Sequence, residues 1–477
     1  MCLSLSKLGN LQISSKWACG RASVSVLASL PDPPRGLIVQ GSHCCFRRHF
    51  SDMAMKRHLD TGVGKPLPHV GQGKAYLDWN ATSPIFPEVT KAVLPFLSTE
   101  FGNPSSDHCF GAPSRAAVAS SRAQVAELLS CEAAEVVFCG CGSEADNTAL
   151  KSGVEWGRKR LPAGTVPHVI SSVIEHPAIT VCLDAMKAAG QIELTYLKVD
   201  DLGRVDPKAA GEAVKSNTVL VSVMHSNNEV GTIQDIRAIS DATRAALKAL
   251  DSSGELLVHT DAAQSTGKVP VKPLELGADL ATIVGHKYGA PKGIAALYVK
   301  KGLELPSFLL GGGQESGRRA GTEAVSMIVA LGTASGVVSR ELPEIAAHMR
   351  SCRDQLYKAL ESGLGKDRLR VNGPALSEPD TARLPNTLSI GIRGVAAGAV
   401  LADLSAANVA ASASAACHAA EAAASQVSFV LRAMSVPTEF ALGTLRLSVG
   451  RHTTSDEIKM AAKAIIASVK RLDGKAS

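Results

Sequence analysis

The sequence predicts an α/β protein, with a large domain built on a mainly parallel sheet flanked by helices and a smaller α+β domain after it. Short runs rich in β-branched residues recur between residues 136 and 299, and Ala-rich helical stretches separate most of them. Strands that alternate with helices favour crossover connections and a parallel sheet covered on both faces. Past residue 335 the pattern changes to a long helix, two apolar strands and a C-terminal helix, which predicts the second domain.

The predicted strands of the large domain are short and apolar. They are VVFC from residue 136, HVISSV from 168, LTYLKV from 194, VLVSVM from 219, LLVHT from 256, ATIV from 281 and AALYV from 295. Near the C-terminus, TTSDEIKMAAKAIIASVKRL predicts an amphipathic helix that begins with a capping box of Thr454 and Glu457.

The domain boundaries follow from these patterns. A chain of 477 residues exceeds the size at which a single core stops growing, so more than one domain is expected. We expect an N-terminal extension over 1–73, a large domain over 74–335 and a small domain over 336–477. Residues 74–90 are candidates for packing with the small domain. The stretch 406–425 consists mostly of small residues, which predicts a mobile loop that carries Cys417.

Composition excludes several classes of function. The hydrophobic share is 45%, the charged share 20%, and no run is long enough for a membrane-spanning helix, so we expect no membrane contact. The net charge is +6, but residues 1–60 carry eight Lys or Arg against three Asp, so the remainder is almost neutral and predicts no nucleic-acid partner. The eleven cysteines lack zinc-site spacing, and the Cys139-Gly-Cys141 pair is a weak signal, so no metal is expected.

The N-terminal extension has the composition of an organellar transit peptide, because it is rich in Ser, Arg and Lys and poor in acid. The stretch RRHFS also resembles a matrix-processing site with cleavage before Ser51. We therefore expect a mitochondrial or other organellar location. The alternatives are a disordered tail, or translation that starts at Met53 or Met55 and leaves the protein in the cytoplasm.

Polar residues follow five of the predicted strands, where ligands bind in sheets of this kind. These segments are GCGSEADN after the strand at 136, IEHPA after 168, HSNNEVG after 219, DAAQS after 256 and GHKYG after 281. Because the carboxyl ends of parallel strands share one edge of a sheet, the five segments are expected to form one site.

The candidate reactive group of this site is a lysine at the end of a buried strand. Desolvation lowers the pKa of an amine such as that of Lys287 and leaves it free to form a Schiff base with an aldehyde, of which pyridoxal phosphate is the obvious example. Asp261 would pair with the pyridinium nitrogen of that cofactor, and Gln264 follows three residues later. Taken singly, a lysine such as Lys287 is more often a solvated side chain, and an aspartate such as Asp261 is more often a helix cap.

The remaining cofactor contacts are predicted on neighbouring segments. The backbone amides of the turn at Gly142 and the hydroxyl of Ser143 open a helix, where anions commonly bind, and would hold the phosphate. His286 would add a donor to the phosphate, and His176 would stack on the ring. The mundane alternatives are a tight turn at 140–144 and a surface histidine at 176.

The sequence resembles the class V aminotransferase-like, fold-type I pyridoxal phosphate enzymes, and within them the group of selenocysteine lyases and cysteine desulfurases. The resemblance extends from about residue 75 to 472. The motifs that carry it are YLDWNATSP at 77, FGNPSS at 101, GSEADN at 142, EH at 175, NNEVGTIQD at 227, HTDAAQSTGK at 259, GHK at 285, GGGQESGRRAGTE at 311 and LRLSVGR at 445.

This resemblance implies further residue roles. Asn228 joins Gln264 near the phenolic oxygen of pyridoxal phosphate, and Arg446 takes the substrate carboxylate, with Asn80 beside the substrate. Thr322 matches a threonine that reaches the phosphate from the other subunit, which implies a homodimer. Cys417 matches the loop cysteine that accepts sulfur or selenium.

The function expected first is removal of selenium from L-selenocysteine to give L-alanine and selenide. The alternative is a cysteine desulfurase that forms L-alanine and an enzyme persulfide for iron–sulfur cluster or thio-cofactor synthesis. The sequence AACH at 415–418, with NATSP and NPSS, favours the selenocysteine lyases, whereas the extension over 1–73 favours a desulfurase. The expected partners are a small amino-acid substrate, a second copy of the chain and an acceptor protein for selenium or sulfur.

Two other functions remain as alternatives. The sequence also departs from the family pattern at two positions. A transaminase would not need Cys417, and a catalytically silent binding protein would not hold the cofactor. Val284 stands where many family members have a phosphate-binding Ser or Thr, and Tyr288 follows Lys287 where a different spacing is usual.

Overall fold

The computed structural model describes residues 73–250, 253–413 and 427–474. Two of the predictions fall outside these ranges. They are the transit-peptide-like segment up to residue 72 and the loop cysteine, Cys417.

A seven-stranded sheet forms the centre of the fold. Its strands are β2 (Val136–Cys139), β3 (His168–Ser172), β4 (Glu193–Leu197), β5 (Thr218–Ser222), β6 (Leu257–Asp261), β7 (Leu280–Val284) and β8 (Ala295–Val299), and β1 (Ala75–Tyr76) lies outside it. The strand order is β2-β8-β7-β6-β5-β3-β4. The pairs among β3, β4, β5, β6 and β7 are parallel, and β8 runs antiparallel to both of its neighbours. This arrangement confirms the predicted α/β class with a mainly parallel sheet.

Helices cover both faces of this sheet. Those before the small domain are α1 (Pro87–Val93), α2 (Gly111–Leu129), α3 (Gly142–Arg158), α4 (Pro177–Ala188), α5 (Pro207–Glu212) and α6 (Ile236–Leu250). Side chains of β2 alternate between the faces, since Phe138 packs in the cluster that contains α2 and Val137 packs in the cluster that contains α3. Both faces are therefore apolar, which explains why these strands read as continuous hydrophobic runs.

The C-terminal elements build a second, smaller layer. They are α7 (Val325–Leu364), β9 (Leu369–Val371), β10 (Thr387–Ile392), α8 (Ala397–Ala406), β11 (Val409–Ala410), α9 (Phe429–Ala433), α10 (Thr438–Ala441), β12 (Thr444–Ser448) and α11 (Ser455–Asp473). Strands β9, β10 and β12 form an antiparallel sheet, and β1 pairs with β11. Ala75 and Leu77 share a hydrophobic cluster with this sheet, so the start of the described chain packs on the C-terminal layer.

Helix α7 connects the two layers. Its first half, including Leu331, packs with the large sheet, and its second half, including Leu356, packs in the cluster of the small sheet. The boundary predicted at 335 therefore falls inside a continuous helix. Within the described residues α7 is the one helix whose length and composition would allow it to cross a membrane, and more than half of its most apolar window is buried inside the protein.

Candidate active site

The carboxyl ends of the parallel strands open into a cavity of about 240 Å³. Ten of the twelve residues predicted for the site line it: Asn80, Gly142, Ser143, His176, Asn228, Asp261, Gln264, His286, Lys287 and Arg446. The two others are Thr322 and Cys417. Residues that are far apart in the sequence thus meet at one edge of the sheet, as the topology of a parallel sheet requires.

Lys287 lies in the short 3-10 turn Gly285–Lys287 that follows β7. Its Nζ donates to the backbone oxygens of Asn80, at 2.7 Å, and Ala81, at 3.1 Å. Both acceptors are neutral carbonyls, so they orient the amine without supplying a counter-charge. The amine is therefore held at the cavity wall by the segment that follows β1.

The turn around Lys287 is braced against the same segment. The backbone N–H of Ser83 donates to the oxygen of His286 at 2.7 Å, and the N–H of Gly289 donates to the hydroxyl of Ser83 at 2.7 Å. Gly289 has φ +95°, and a Cβ at this position would lie 2.4 Å from the ring of Phe86. A glycine is required there for both reasons, because an L side chain would be strained and would also clash.

Asp261 ends β6 and is 7% exposed. One of its carboxylate oxygens accepts from the backbone N–H of Ala263 at 2.9 Å. Burial raises the pKa of Asp261 above its ordinary value, whereas the Ala263 N–H and the charge of Lys287 act in the opposite direction. A buried carboxylate of this kind fits a cationic partner such as a protonated pyridine nitrogen, because an opposite charge favours the ionised form.

A short hydrogen-bond network joins three other predicted residues. The side-chain N–H of Gln264 donates to the backbone oxygen of Asn80 at 2.9 Å, and the side-chain amide of Asn80 donates to the backbone oxygen of Asn228 at 3.2 Å. Asn80 therefore contacts Lys287, Gln264 and Asn228 at once. Its own side chain is 1% exposed, so it forms part of the frame of the cavity.

The phosphate end of the predicted site lies at the start of α3. Gly142 and Ser143 are the first two residues of this helix, whose opening N–H groups have no partner within the helix. A Cβ on Gly142 would lie 2.8 Å from a methyl group of Val284, so Val284 packs directly against the glycine. The side chain that lies beside the start of α3 is therefore apolar.

His286 and His176 also line the cavity. Burial lowers the pKa of His286 to about 4, and the neighbouring Lys287 acts in the same direction, so the imidazole is neutral at pH 7. One of its nitrogens lies 3.1 Å from the hydroxyl of Thr82. His176 caps α4, and its Nδ1 accepts from the N–H of Ala178 at 3.1 Å, so a neutral ring carries its proton on Nε2.

Arg446 lies on β12, so the small sheet contributes a side chain to the cavity wall. Its Nη1 donates to the backbone oxygen of Asn228 at 3.2 Å, and its Nη2 lies 2.9 Å from a carboxylate oxygen of Asp78. The Nε of Arg446 is buried and has no hydrogen-bond partner within the described residues. A buried guanidinium with an unused donor fits an anionic ligand group.

Two predicted residues are not brought into the cavity within the described part of the chain. Thr322 is exposed and is not one of the cavity-lining residues. Cys417 lies outside the described residues. Before its segment, Ser412 exchanges backbone hydrogen bonds with the cavity residue Arg446. After its segment, the Ser428 hydroxyl donates to Glu229 at 2.5 Å.

Sequence reasoning missed three buried ionisable residues near the cavity. Asp146, in the motif GSEADN, lines the cavity, and burial together with Asp261 raises its pKa well above the ordinary value. Burial also raises the pKa of Glu175 to about 8. Lys268 closes the motif HTDAAQSTGK. The signal was a charged side chain inside an otherwise small or apolar motif, which is uncommon unless the group has a partner.

The donors and acceptors of the cavity fit pyridoxal phosphate. They comprise an amine for the aldehyde, a buried carboxylate for the ring nitrogen and a helix start for the phosphate. Within the described ranges, no group of three His, Cys, Asp or Glu side chains is placed to hold a metal ion.

Comparison with known proteins agrees with this assignment. The sequence profile described as Aminotransferase class-V matches residues 75–460. A cysteine desulfurase IscS of Dictyoglomus turgidum is 34% identical over 385 residues, which is 81% of this chain and 92% of that protein. Cysteine desulfurase 2 of Trichormus variabilis is 37% identical over 398 residues, which is 83% of this chain and 93% of that protein. The solved structure of a NifS-like protein has a TM-score of 0.73 at 31% identity and covers 83% of this chain and 100% of its own.

These similarities confirm the predicted fold and family. The relatives are named as cysteine desulfurases, so they support the alternative expectation better than the selenocysteine lyase expectation. Enzymes of this family use pyridoxal phosphate. The chain belongs to the class-V aminotransferase family.

Proposed function

We propose that the protein is a pyridoxal-phosphate-dependent cysteine desulfurase, which converts L-cysteine to L-alanine and keeps the sulfur as a persulfide on Cys417. The observation that carries this proposal is the meeting of Lys287, Asp261 and Arg446 in one cavity. An amine, a buried carboxylate and a buried guanidinium are the groups needed to hold the cofactor and an amino acid together. The names of the relatives support the choice of substrate.

Each residue has a defined task in this proposal. Pyridoxal phosphate, when bound, supplies an electron sink that makes the bonds at the substrate Cα and Cβ labile. Lys287 would bind its aldehyde and Asp261 its ring nitrogen, while Ser143 and His286 would hold the phosphate. Gln264 and Asn228 would lie near the phenolic oxygen, and His176 would stack on the ring.

Arg446 is assigned to binding of the substrate, and Lys287 to removal of its proton. The planar guanidinium of Arg446 binds the substrate carboxylate with two parallel hydrogen bonds. Asn80 holds the amine of Lys287 through its backbone oxygen, at 2.7 Å. The Lys287 Nζ would take the proton from the substrate Cα, because it already lies at the cavity wall.

Sulfur transfer is assigned to Cys417. A sulfur–sulfur bond forms between its Sγ and the substrate sulfur while the Cβ–sulfur bond breaks. The electron pair of that bond stays on Cβ, which then takes up a proton to give alanine. Cys417 follows Ser412 by five residues, and the backbone of Ser412 exchanges hydrogen bonds with that of Arg446, which supports this assignment.

A selenocysteine lyase is the second candidate, favoured by the sequence AACH at 415–418. Selenocysteine would use the same cavity, because selenium and sulfur differ little in size. Its selenium would pass to the Cys417 sulfur while the electron pair of the Cβ–selenium bond stays on Cβ, which takes up a proton to give alanine. An external thiol would then reduce the selenium–sulfur bond and release selenide.

The test is alanine release from L-cysteine and from L-selenocysteine, measured for the wild type, Cys417→Ala and the exposed-cysteine control Cys109→Ala. A desulfurase turns over L-cysteine, loses this activity in Cys417→Ala and keeps it in Cys109→Ala. Turnover of selenocysteine alone would favour the second candidate. Alanine release from neither substrate by enzyme with bound cofactor would overturn the proposal.

We further propose that the chain acts as a homodimer in which the partner supplies the threonine at position 322, and that the sulfur passes to an acceptor protein. Thr322 is exposed, which supports this role. Import into an organelle is proposed from residues 1–60. A fluorescent fusion of these residues, compared with one that starts at Met53, would test it, and diffuse fluorescence from both would contradict it.

A further inference from the structure

A second lysine lies buried next to the cavity. Lys268 follows β6 by a few residues and is 3% exposed. Its Nζ donates to the backbone oxygen of Gln264 at 2.9 Å and to the side-chain oxygen of the same residue at 2.7 Å. Burying an amine is unfavourable unless it is hydrogen-bonded, so these two contacts account for its presence inside the protein.

The amine of Lys268 donates hydrogen bonds to Gln264 and is not part of an ion pair within the described residues. Burial lowers its pKa well below the ordinary value, and the charges of Lys287 and Arg446 act in the same direction. A neutral amine has two N–H donors, which matches the two oxygens of Gln264 that accept from it. A stabilising ion pair therefore does not explain this residue.

The contacts of Lys268 continue through Gln264 to the reactive amine. The Gln264 side-chain oxygen accepts from Lys268, and its side-chain nitrogen donates to the backbone oxygen of Asn80 at 2.9 Å. That oxygen also accepts from Lys287 at 2.7 Å. Turning the Gln264 amide over would place nitrogen against the donating amine and oxygen against the accepting carbonyl. Lys268 and the backbone oxygen of Asn80 thus together determine which way the amide faces.

We propose that Lys268 is a positioning residue that holds the Gln264 amide, and through Asn80 the amine of Lys287, in the one orientation that presents an N–H to the phenolic oxygen of the cofactor. The inference rests on the proposed function, which places Gln264 beside that oxygen. The residue acts through Gln264 and does not touch the substrate.

The variant Lys268→Met tests this role, because Met keeps an unbranched apolar stem and removes the donor. Without the donor the amide turns over in part, and the phenolic oxygen loses a hydrogen bond and holds its proton more tightly. We expect the midpoint of the pH titration of the bound chromophore to rise by about half to one unit. The dissociation constant of the cofactor should rise about two- to tenfold. Lys272→Met, at an exposed lysine that pairs with Glu275, is the matched control and should change neither.

A double-mutant cycle separates positioning from a purely structural role. In the Gln264→Met background, Lys268→Met should produce no further shift of the titration midpoint, because the group through which it acts is gone. Equal shifts in both backgrounds would overturn the inference, as would an unshifted midpoint in Lys268→Met alone. If Lys268→Met does not fold, Lys268→Gln keeps a polar group on a side chain one bond shorter, and its midpoint should also rise; an unchanged midpoint would overturn the inference.

Failure of the inference about Lys268 can be distinguished from failure of the proposed function. Borohydride reduction and peptide mapping report whether the cofactor is bound to Lys287. Labelling of Lys287 with an unshifted midpoint in Lys268→Met would refute only the role of Lys268. The absence of any labelled lysine in the wild type would refute the function itself.

Discussion

Arg446 and Asp78 form an ion pair at the cavity, with 2.9 Å between the guanidinium Nη2 and the carboxylate Oδ1. The arginine lies on β12, and the aspartate lies just after β1, so the pair joins distant parts of the chain. Only 3% of the Arg446 side chain is exposed, compared with 19% for Asp78. The guanidinium is therefore oriented before any substrate arrives, which reduces the entropy lost on binding.

Arg446→Lys should weaken substrate binding. An ammonium cannot make two parallel bonds to a carboxylate, and the loss of one charge-assisted hydrogen bond corresponds to about a 10- to 100-fold rise in KM. Steady-state alanine release would measure this change, with kcat less affected. Arg471→Lys changes an exposed ion pair with Asp403 and is the control. An unchanged KM in Arg446→Lys would remove Arg446 from the substrate site.

Val284→Thr should strengthen cofactor binding. The two side chains have the same shape, and the new hydroxyl would lie beside Gly142 at the start of α3, where the phosphate is expected. One added hydrogen bond lowers the dissociation constant of pyridoxal phosphate about two- to tenfold. Equilibrium titration of the cofactor-free enzyme measures this change. Val271→Thr, a buried position in the apolar cluster under the sheet, should leave the constant unchanged. Equal affinities in wild type and Val284→Thr would place the phosphate elsewhere.

Glu175→Gln should alter the pH dependence of stability. Burial raises the folded-state pKa of Glu175 from 4.5 to about 8, so the folded protein keeps a proton that the unfolded chain releases. The contribution of this group is fully present below about pH 4.5 and is lost as the pH rises to about 8, by up to about 1.4 kcal/mol per unit.

The measurement is the free energy of urea unfolding of the cofactor-free enzyme at pH 5, 6.5 and 8. Glu175→Gln is an isosteric change, and the amide oxygen can still accept from the Ser172 hydroxyl and the Met224 N–H. The variant should therefore lose less stability between pH 5 and 8 than the wild type. The exposed variant Glu212→Gln is the control. Parallel pH profiles for wild type and Glu175→Gln would contradict the assignment.

Gly289→Ala should destabilise the turn that carries Lys287. The added Cβ would meet the Phe86 ring at 2.4 Å, in addition to the strain of φ +95°. Gly293→Ala has nearly the same strain, with φ +91°, but nothing within 4 Å. The difference in unfolding free energy isolates the steric term, which is expected to be about 1–3 kcal/mol. Equal effects of the two substitutions would show that the ring moves away without loss.

Replacing both Phe101 and Phe110 by Ser should weaken the proposed dimer. The two rings are stacked with centroids 5.6 Å apart, yet they are 73% and 58% exposed, which is unusual for a free surface. Analytical ultracentrifugation should show more monomer, and cofactor affinity should fall with it if the partner's threonine binds the phosphate. Val181→Ser, at another exposed apolar side chain, should leave the mass unchanged. A monomeric wild type would contradict the proposal.

Much of the fold could be predicted because its signals are local. The seven strand runs and the capping box of Thr454 and Glu457 occur where the sequence places them. The antiparallel direction of β8 was not predicted, although the segment 285–294 is too short for a crossover connection.

The sequence by itself determined the order of the strands along the chain and the kinds of side chain that follow them, since hydrophobic period and turn residues act over a few positions. Tertiary structure alone decided that the backbone oxygen of Asn80 accepts hydrogen bonds from both Lys287 and Gln264, and that the amine of Lys268 donates to Gln264. Asn80 and Lys287 are separated by 207 positions, and no local preference relates them. Such contacts depend on how the layers pack against each other. A buried amine has no water to bind, so it must donate to the protein groups that packing places beside it.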